Sequence, residues 1–146
     1  MNGSGKVLAQ TITEHYAAYN GDCVDIMQSL PPDSIHFAMT SPPFLALFQY
    51  NASERDMGNC QSAEEFFTHH GYLADALMRA MLPGRILAMH VSDVPAMQVR
   101  DDWIGLKNFS GHMIDHMVDR GWFYHGKYIC DKDPQAQAIR IRAKGL

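Results

Sequence analysis

A basic excess, paired cysteines, internal repeats and long apolar runs are all missing from this sequence, and each gap removes a class of protein. The 146 residues carry 12 Lys and Arg against 16 Asp and Glu, a formal net charge of -4. A domain that binds nucleic acid unaided normally shows a basic excess. Any such role must therefore use local basic groups or borrow surface from elsewhere. Three cysteines, Cys23, Cys60 and Cys130, are an odd number without close spacing. This argues against a disulfide scaffold and a four-cysteine zinc site, and makes a reducing cytoplasm the expected compartment. The longest apolar run, around residues 44–48, is far short of the roughly 20 residues that span a bilayer, so no membrane association is expected. The opening MNGSGKVLAQ has one lysine and no apolar stretch, so no secretory signal is expected. What is present, 47% hydrophobic and 19% charged residues, is the composition of a folded chain. The length suits one domain and leaves no room for a second.

Along the chain, residues 1–13 are polar and Gly-rich and read as a flexible N-terminal arm. Residues 15–20 (HYAAYN) read as a strand ending in the Gly21-Asp22 turn, and 24–30 as a short helix stopped by Pro31-Pro32. Residues 35–40 (IHFAMT) read as a strand, broken by Ser41-Pro42-Pro43-Phe44, since neither proline can donate to a ladder. Residues 45–61 read as an irregular loop. Ser62-Ala63-Glu64-Glu65 is a capping box. It opens a helix to about Met81, with Phe66, His70, Leu73, Leu77 and Ala80 on one face and Pro83-Gly84 stopping it. Residues 85–91 (RILAMHV) read as a strand, 110–119 as a second amphipathic helix, and 122–129 (WFYHGKYI) as an aromatic strand. Asp133-Pro134 opens a last helix expected to run through Ala143. Alternating strands and helices make the class α/β, with a mainly parallel sheet flanked by helices. Ligands of such sheets sit beyond the carboxyl ends of the strands. Asp22, residues 40–44 and Ser92-Asp93 occupy those ends.

Ser41-Pro42-Pro43-Phe44 follows a strand directly. Its prolines fix torsions and leave carbonyls free to accept. The Ser41 hydroxyl and the Pro42 carbonyl together suit an exposed amine on a planar ring, with Phe44 against the ring face. Stacking of that kind is worth about 1–3 kcal/mol per base. Accepting both amine protons draws the nitrogen out of conjugation and exposes its lone pair to an electrophile. The bland alternative is a rigid turn packed by Phe44.

The run from Asn20-Gly21-Asp22-Cys23 through Leu30-Pro31-Pro32-Asp33-Ser34 to Ser41-Pro42-Pro43-Phe44 resembles the amino-DNA methyltransferases. Arg79-Ala80-Met81-Leu82-Pro83-Gly84-Arg85-Ile86-Leu87 is similar to that family's helix, LPG and strand segment, and 121–134 to the strand and KDP segment after it. The likeness covers about residues 15–146. It implies a partial Rossmann-like methyltransferase fold in the permuted order, with the catalytic half first. It implies methyl transfer from S-adenosylmethionine to the exocyclic amine of a flipped base in double-stranded DNA, as in bacterial or phage restriction-modification. Ser41, Pro42, Pro43 and Phe44 are then the catalytic residues. Serine in the first position is associated more with N4-cytosine than with N6-adenine, and both targets stay open. The family's Phe-x-Gly-x-Gly cofactor loop is not in the sequence. Residues 14–146 are therefore expected to be the catalytic half of a longer domain, inactive alone and assembling as a homo-oligomer over its open edge. The alternative is a non-catalytic module of the same fold that needs a second chain to complete its site.

Weaker signals accompany this. The resemblance implies that Asp22 contacts the adenosine part of the cofactor, and the plain reading is a turn Asp bonding its own backbone. Asp93, at the other strand end, is a second cofactor candidate or a loop cap. His112 and His116 are four apart, as in helical zinc sites, which would suit a metal hydrolase, but their neighbours Met113, Ile114, Met117 and Val118 make an ordinary amphipathic helix, and no metal is expected. Arg140, Arg142 and Lys144 read as a solvated face or as phosphate contacts.

Overall fold

The computed structural model describes residues 7–45, 50, 52–131 and 133. Its elements are β1 (Val7–Ile12), β2 (Ala17–Gly21), α1 (Cys23–Ser29), β3 (Ile35–Thr40), α2 (Ala63–Ala80), β4 (Met81–Met89), β5 (Val94–Ala96), α3 (Gln98–Asp101), β6 (Gly105–Lys107) and α4 (Phe109–Asp119). The architecture is mixed α/β with three two-stranded sheets among the described residues. This corrects the expected mainly parallel sheet. Only β3 and β4 pair in parallel, while β1–β2 and β5–β6 are antiparallel. Among the described residues, no helix is long and apolar enough to cross a membrane.

The first departure from the sequence reading is at the start. Within the span read as a flexible arm, 1–13, of which 1–6 lie outside the described residues, residues 7–12 form β1, joined to β2 by a turn in which the Thr13 hydroxyl accepts from the amides of His15 and Tyr16 at 3.2 and 3.1 Å. β1 is exposed along its whole length, so it is held by backbone pairing and carries no hydrophobic alternation to read. The second departure is at the aromatic run 122–129, which has no regular structure. Its composition suits a strand, but a strand needs a hydrogen-bonding neighbour, and none of the described ladders includes it. Phe123 and Tyr128 are 96% and 94% exposed. The helix expected after Asp133-Pro134, with Arg140, Arg142 and Lys144, lies outside the described residues.

Two helices lock β3 in place through their ends. α1 is capped by Asp22, whose Oδ1 accepts from the amides of Val24 and Asp25 at 2.9 and 3.2 Å. At its other end, Nη2 of Arg79 in α2 donates to the carbonyls of Met27, Gln28 and Leu30 at 2.8 to 3.0 Å. They belong to the C-terminal turn and C-cap of α1, where carbonyls lack full intrahelical pairing; the Met27 carbonyl also accepts from the Leu30 amide at 3.3 Å. In return, the amides of Asp33 and Ser34 donate to the Arg79 and Ala80 carbonyls at the end of α2. The capping box at the start of α2 is realised through Ser62 Oγ, which accepts from the Glu65 amide at 3.0 Å. The Glu65 carboxylate reaches back to the Gln61 amide at 2.7 Å, one residue before the cap.

α2 stops at Ala80, as the sequence reading to about Met81 expects, but β4 begins at once at Met81, ahead of the strand start expected at Arg85. Those two residues lie in a bulge of β4. Between Ile35↔Met81 and Phe37↔Ile86 the strand spends five residues against two of β3. The extra residues absorb a proline that has no N–H to donate to the ladder and Gly84 at φ +76°. From Phe37↔Ile86 to Thr40↔Met89 the register is regular.

Phe66 and Ala74 of α2, Phe109, Met113 and Met117 of α4, Val94 and Cys60 form the core, with Phe44, Phe67, Leu87 and Met89 packed against it. Ring contacts run through it: Phe66 meets Phe109 edge-on at 5.4 Å, and Phe67 stacks on Phe109 at 5.9 Å. His70 is fully buried, stacked on Phe66 and edge-on to His116 at 5.2 Å. Neither of its ring nitrogens has a hydrogen-bond partner. Burial, and then the charges of His116 and Arg120, push His70 down from 6.5 to about 4. The unfolded chain thus takes up a proton near pH 6.5 that the folded chain refuses until about pH 4. Stability is complete above pH 6.5 and is lost as pH falls toward 4, by up to about 3 kcal/mol. Urea titrations across that window should show a falling midpoint, and His70→Phe should flatten the slope. An unchanged slope in the variant would assign the acid sensitivity to other groups.

Candidate functional site

β3 and β4 end side by side. The last rung of the parallel pair is the His90 amide donating to the Thr40 carbonyl at 2.9 Å. Beyond it the chain turns away through Ser41, Pro42, Pro43 and Phe44, because two successive residues without an N–H cannot extend a ladder. Pro42 is buried and Phe44 half-buried, while Ser41 is exposed. Leu45 follows at φ +54°, a left-handed conformation that a branched side chain adopts only under constraint. The motif is thus a short turn with a buried pivot and a strained exit.

Three side chains meet at this corner. Ser41 Oγ lies 3.3 Å from Nδ1 of His90. The ring of Phe44 is tilted at 6.0 Å from the His90 imidazole and at 6.1 Å from Phe109. Phe44 thus bridges the core and the open edge. The corner brings together an exposed hydroxyl, an exposed imidazole and a half-buried aromatic ring. The sequence reading did not single out His90, because it ran the strand to Val91. With β4 ending at Met89, His90 is the first residue past a strand end, and the strand-end rule then selects it.

The two carboxylates expected near the cofactor are engaged within the chain. Asp22 caps α1 through Oδ1, and its Oδ2 is 3.0 Å from Nε of Arg55. The same guanidinium holds Asp25 in a two-pronged contact at 2.9 and 3.0 Å. That contact draws the Asp25 carboxyl below its usual range. Arg55, from the irregular 45–61 loop, was invisible to the sequence reading. β2, which delivers Asp22, pairs with β1 and is not hydrogen-bonded to the β3–β4 pair. Asp22 and Ser41 therefore do not stand on neighbouring ends of one sheet, as the sequence had implied. Asp93 lies three residues past His90, and its Oδ1 accepts from both the amide and the hydroxyl of Ser110, at 3.0 and 2.7 Å. Those bonds lower its carboxyl below the ordinary value. It helps to cap α4 from outside that helix, whose own N-cap is Asn108, accepting from the Gly111 amide at 3.0 Å.

The histidines of α4 share the wall of an open depression of about 350 Å³ with Glu64, Asp115 and Asp119. His112 is exposed, and His116 turns inward to Phe67 at 5.1 Å and to His70. Among the described residues, no three His, Cys, Asp or Glu side chains gather as a metal set. An open depression of about 840 Å³, lined by Tyr50, Ser53, Gln61, Glu65 and His69 among others, does not include Ser41 or His90. We place no chemistry there, because the convergent acceptor and aromatic groups stand at the strand ends.

No protein-family model matches the chain, and no curated protein matches it in sequence. Among solved structures it is similar to one from Thermus thermophilus described as a "putative DNA modification methylase". The identity is 21% and the TM-score 0.52, over 69% of this chain and 38% of that one. The chain therefore shares the fold of part of that structure, and it spans well under half the length of that neighbour.

Asp93→Ala tests the capping role. Leaving the Ser110 amide and hydroxyl without their acceptor should cost about 1–2 kcal/mol, read as a lower urea midpoint. Unchanged stability would release Asp93 from the capping role and return it to the cofactor candidates.

Proposed function

We propose that this chain is the catalytic half of an amino-DNA methyltransferase, which transfers the methyl group of S-adenosylmethionine to the exocyclic amine of a base in double-stranded DNA. The observation that carries the reading is Ser41-Pro42-Pro43-Phe44 at the carboxyl end of a parallel strand pair, in a chain of methyltransferase-like fold. Such an amine is paired inside the duplex, so the base must leave the stack to reach an open edge of this kind. Ser41 Oγ and the Pro42 carbonyl accept the two amine protons, and Phe44 lines the ring face. These contacts strengthen as the nitrogen loses its conjugation, so they act on the rate more than on binding. Serine in the first position favours N4 of cytosine over N6 of adenine.

The methyl donor's seat is a separate matter. Asp22 and Asp93 spend their carboxylates on helix amides, Arg55 and Ser110, and no Phe-x-Gly-x-Gly loop is in the sequence. The described residues thus fit the amine and not S-adenosylmethionine, and we derive no step through the donor. The glycine loop, and most of the basic surface that reads DNA, would come from further sequence or from a second polypeptide. The same engaged carboxylates favour a second reading, a non-catalytic module of this fold that only assembles with another chain. The β3–β4 pair leaves apolar surface open at Phe37, Met39 and Ile86, which are 58%, 78% and 55% exposed. Self-association over that face is the expected state of the isolated chain.

Two measurements test this. Calorimetric titration of the 146-residue chain with S-adenosylmethionine should show no binding in the low micromolar range; a dissociation constant there, about -8 kcal/mol, would mean that the chain builds a donor seat after all. In the completed enzyme, Ser41→Ala and Phe44→Ala should each slow single-turnover methylation, with Phe44→Ala costing about 1–3 kcal/mol of stacking, while donor affinity is unchanged. Full single-turnover rates in both variants would sink the assignment of this motif to the chemistry.

A further inference from the structure

We propose that His90 is a positioning residue for Ser41: its unprotonated Nδ1 takes the Ser41 hydroxyl hydrogen and leaves the oxygen's lone pairs facing out of the strand edge. The inference deepens the amine-binding reading above and rests on it for its catalytic consequence, though not for the bond itself.

The argument starts from what a serine hydroxyl is. It has one hydrogen and two lone pairs, and it rotates to suit its surroundings. An exposed serine spends its time donating to water in many directions. To accept an amine proton it must first place its own hydrogen elsewhere, or the two hydrogens face each other. Among the described residues, the group that removes that conflict for Ser41 is Nδ1 of His90 at 3.3 Å. The imidazole nitrogen is not there by rotamer accident alone. The backbones of the two residues are coupled by the His90 amide bond to the Thr40 carbonyl, one residue before Ser41. The imidazole also rests against the Phe44 ring at 6.0 Å, and Phe44 is in turn packed on buried Phe109. The imidazole is thus held from two directions, by the ladder through its backbone and by the aromatic contact through its ring.

Which hydrogen lies between the two atoms depends on the tautomer. With the hydrogen on Nε2, Nδ1 accepts and Ser41 is left as an acceptor toward the edge. With the hydrogen on Nδ1, Ser41 accepts from histidine, and its own hydrogen projects into the space where the amine must sit. Only the first arrangement serves an acceptor site. His90 acts on the amine solely through Ser41, so its removal should affect turnover and leave DNA affinity alone.

The bond is read by long-range nitrogen–proton NMR of the 146-residue chain at mildly alkaline pH. The expected result is the Nε2–H tautomer for His90, with an Nδ1 resonance that moves toward the free-acceptor position in Ser41→Ala. A Nδ1–H tautomer, or an Nδ1 resonance indifferent to Ser41→Ala, overturns the proposal. The consequence is read in the completed enzyme with S-adenosylmethionine and duplex DNA. His90→Ala should lower kcat about tenfold, the scale of one lost hydrogen bond, at unchanged KM for DNA. His90→Asn, which offers an amide oxygen near the Nδ1 position, should recover most of that loss. A full rate in His90→Ala, or an Asn variant no better than Ala, also overturns it. A parent enzyme that transfers no methyl group defeats the function proposed above and not the Ser41–His90 bond, which the ring-nitrogen resonances decide by themselves.

Discussion

The backbone bond from His90 to Thr40 is the last rung of the only parallel ladder among the described residues, and the candidate site depends on it. It sets the end of β4 beside the end of β3, and the prolines after Thr40 allow no further rung. Everything at the corner follows from that forced divergence. The chain must turn, the turn pivots on buried Pro42, and Ser41 and Phe44 both come to the His90 imidazole. Phe44 leans on Phe109, itself packed on Phe66 and Phe67. The edge is therefore braced by the same aromatic cluster that holds α2 against α4, and its geometry is tied to the stability of the core.

Helix termini consume much of the charge that a binding site might otherwise use. Asp22, Asp93 and Arg79 each satisfy backbone groups that a helix leaves orphaned. Arg55 bridges Asp22 and Asp25, an exposed network whose worth lies in orienting the 52–59 segment more than in stability. Polar residues at strand ends are thus divided between two tasks here. The carboxylates hold helices, and the hydroxyl and imidazole face the edge.

Local chemistry made parts of this legible in the sequence. The capping box before α2, the IHFAMT strand, the proline break and the short helix after Gly21-Asp22 each carry their own signal, and each forms close to where the residues indicate. Features that depend on a partner were not legible. β1 is exposed on both faces, so its six residues show no alternation, and only β2 makes them a strand. The aromatic run 122–129 shows the opposite case, a strand-like composition that joins no ladder among the described residues. β4 starts at Met81 because β3 tolerates a bulge around Pro83 and Gly84, which no local rule foretells. His90 was missed for the same reason: a strand end placed two residues too late hides the first residue of the site.

The central claim is that this fold presents an amine-binding edge for methyl transfer to DNA. The most direct measurement is mass spectrometry of nucleosides from DNA of methylation-free bacteria that express the intact coding sequence. The account predicts N4-methylcytosine, or N6-methyladenine in its place, above the level of cells carrying the empty vector. DNA with neither modified base, from cells that accumulate the folded protein together with the sequence that completes its donor site, would contradict it and leave the chain an assembly module of methyltransferase-like fold.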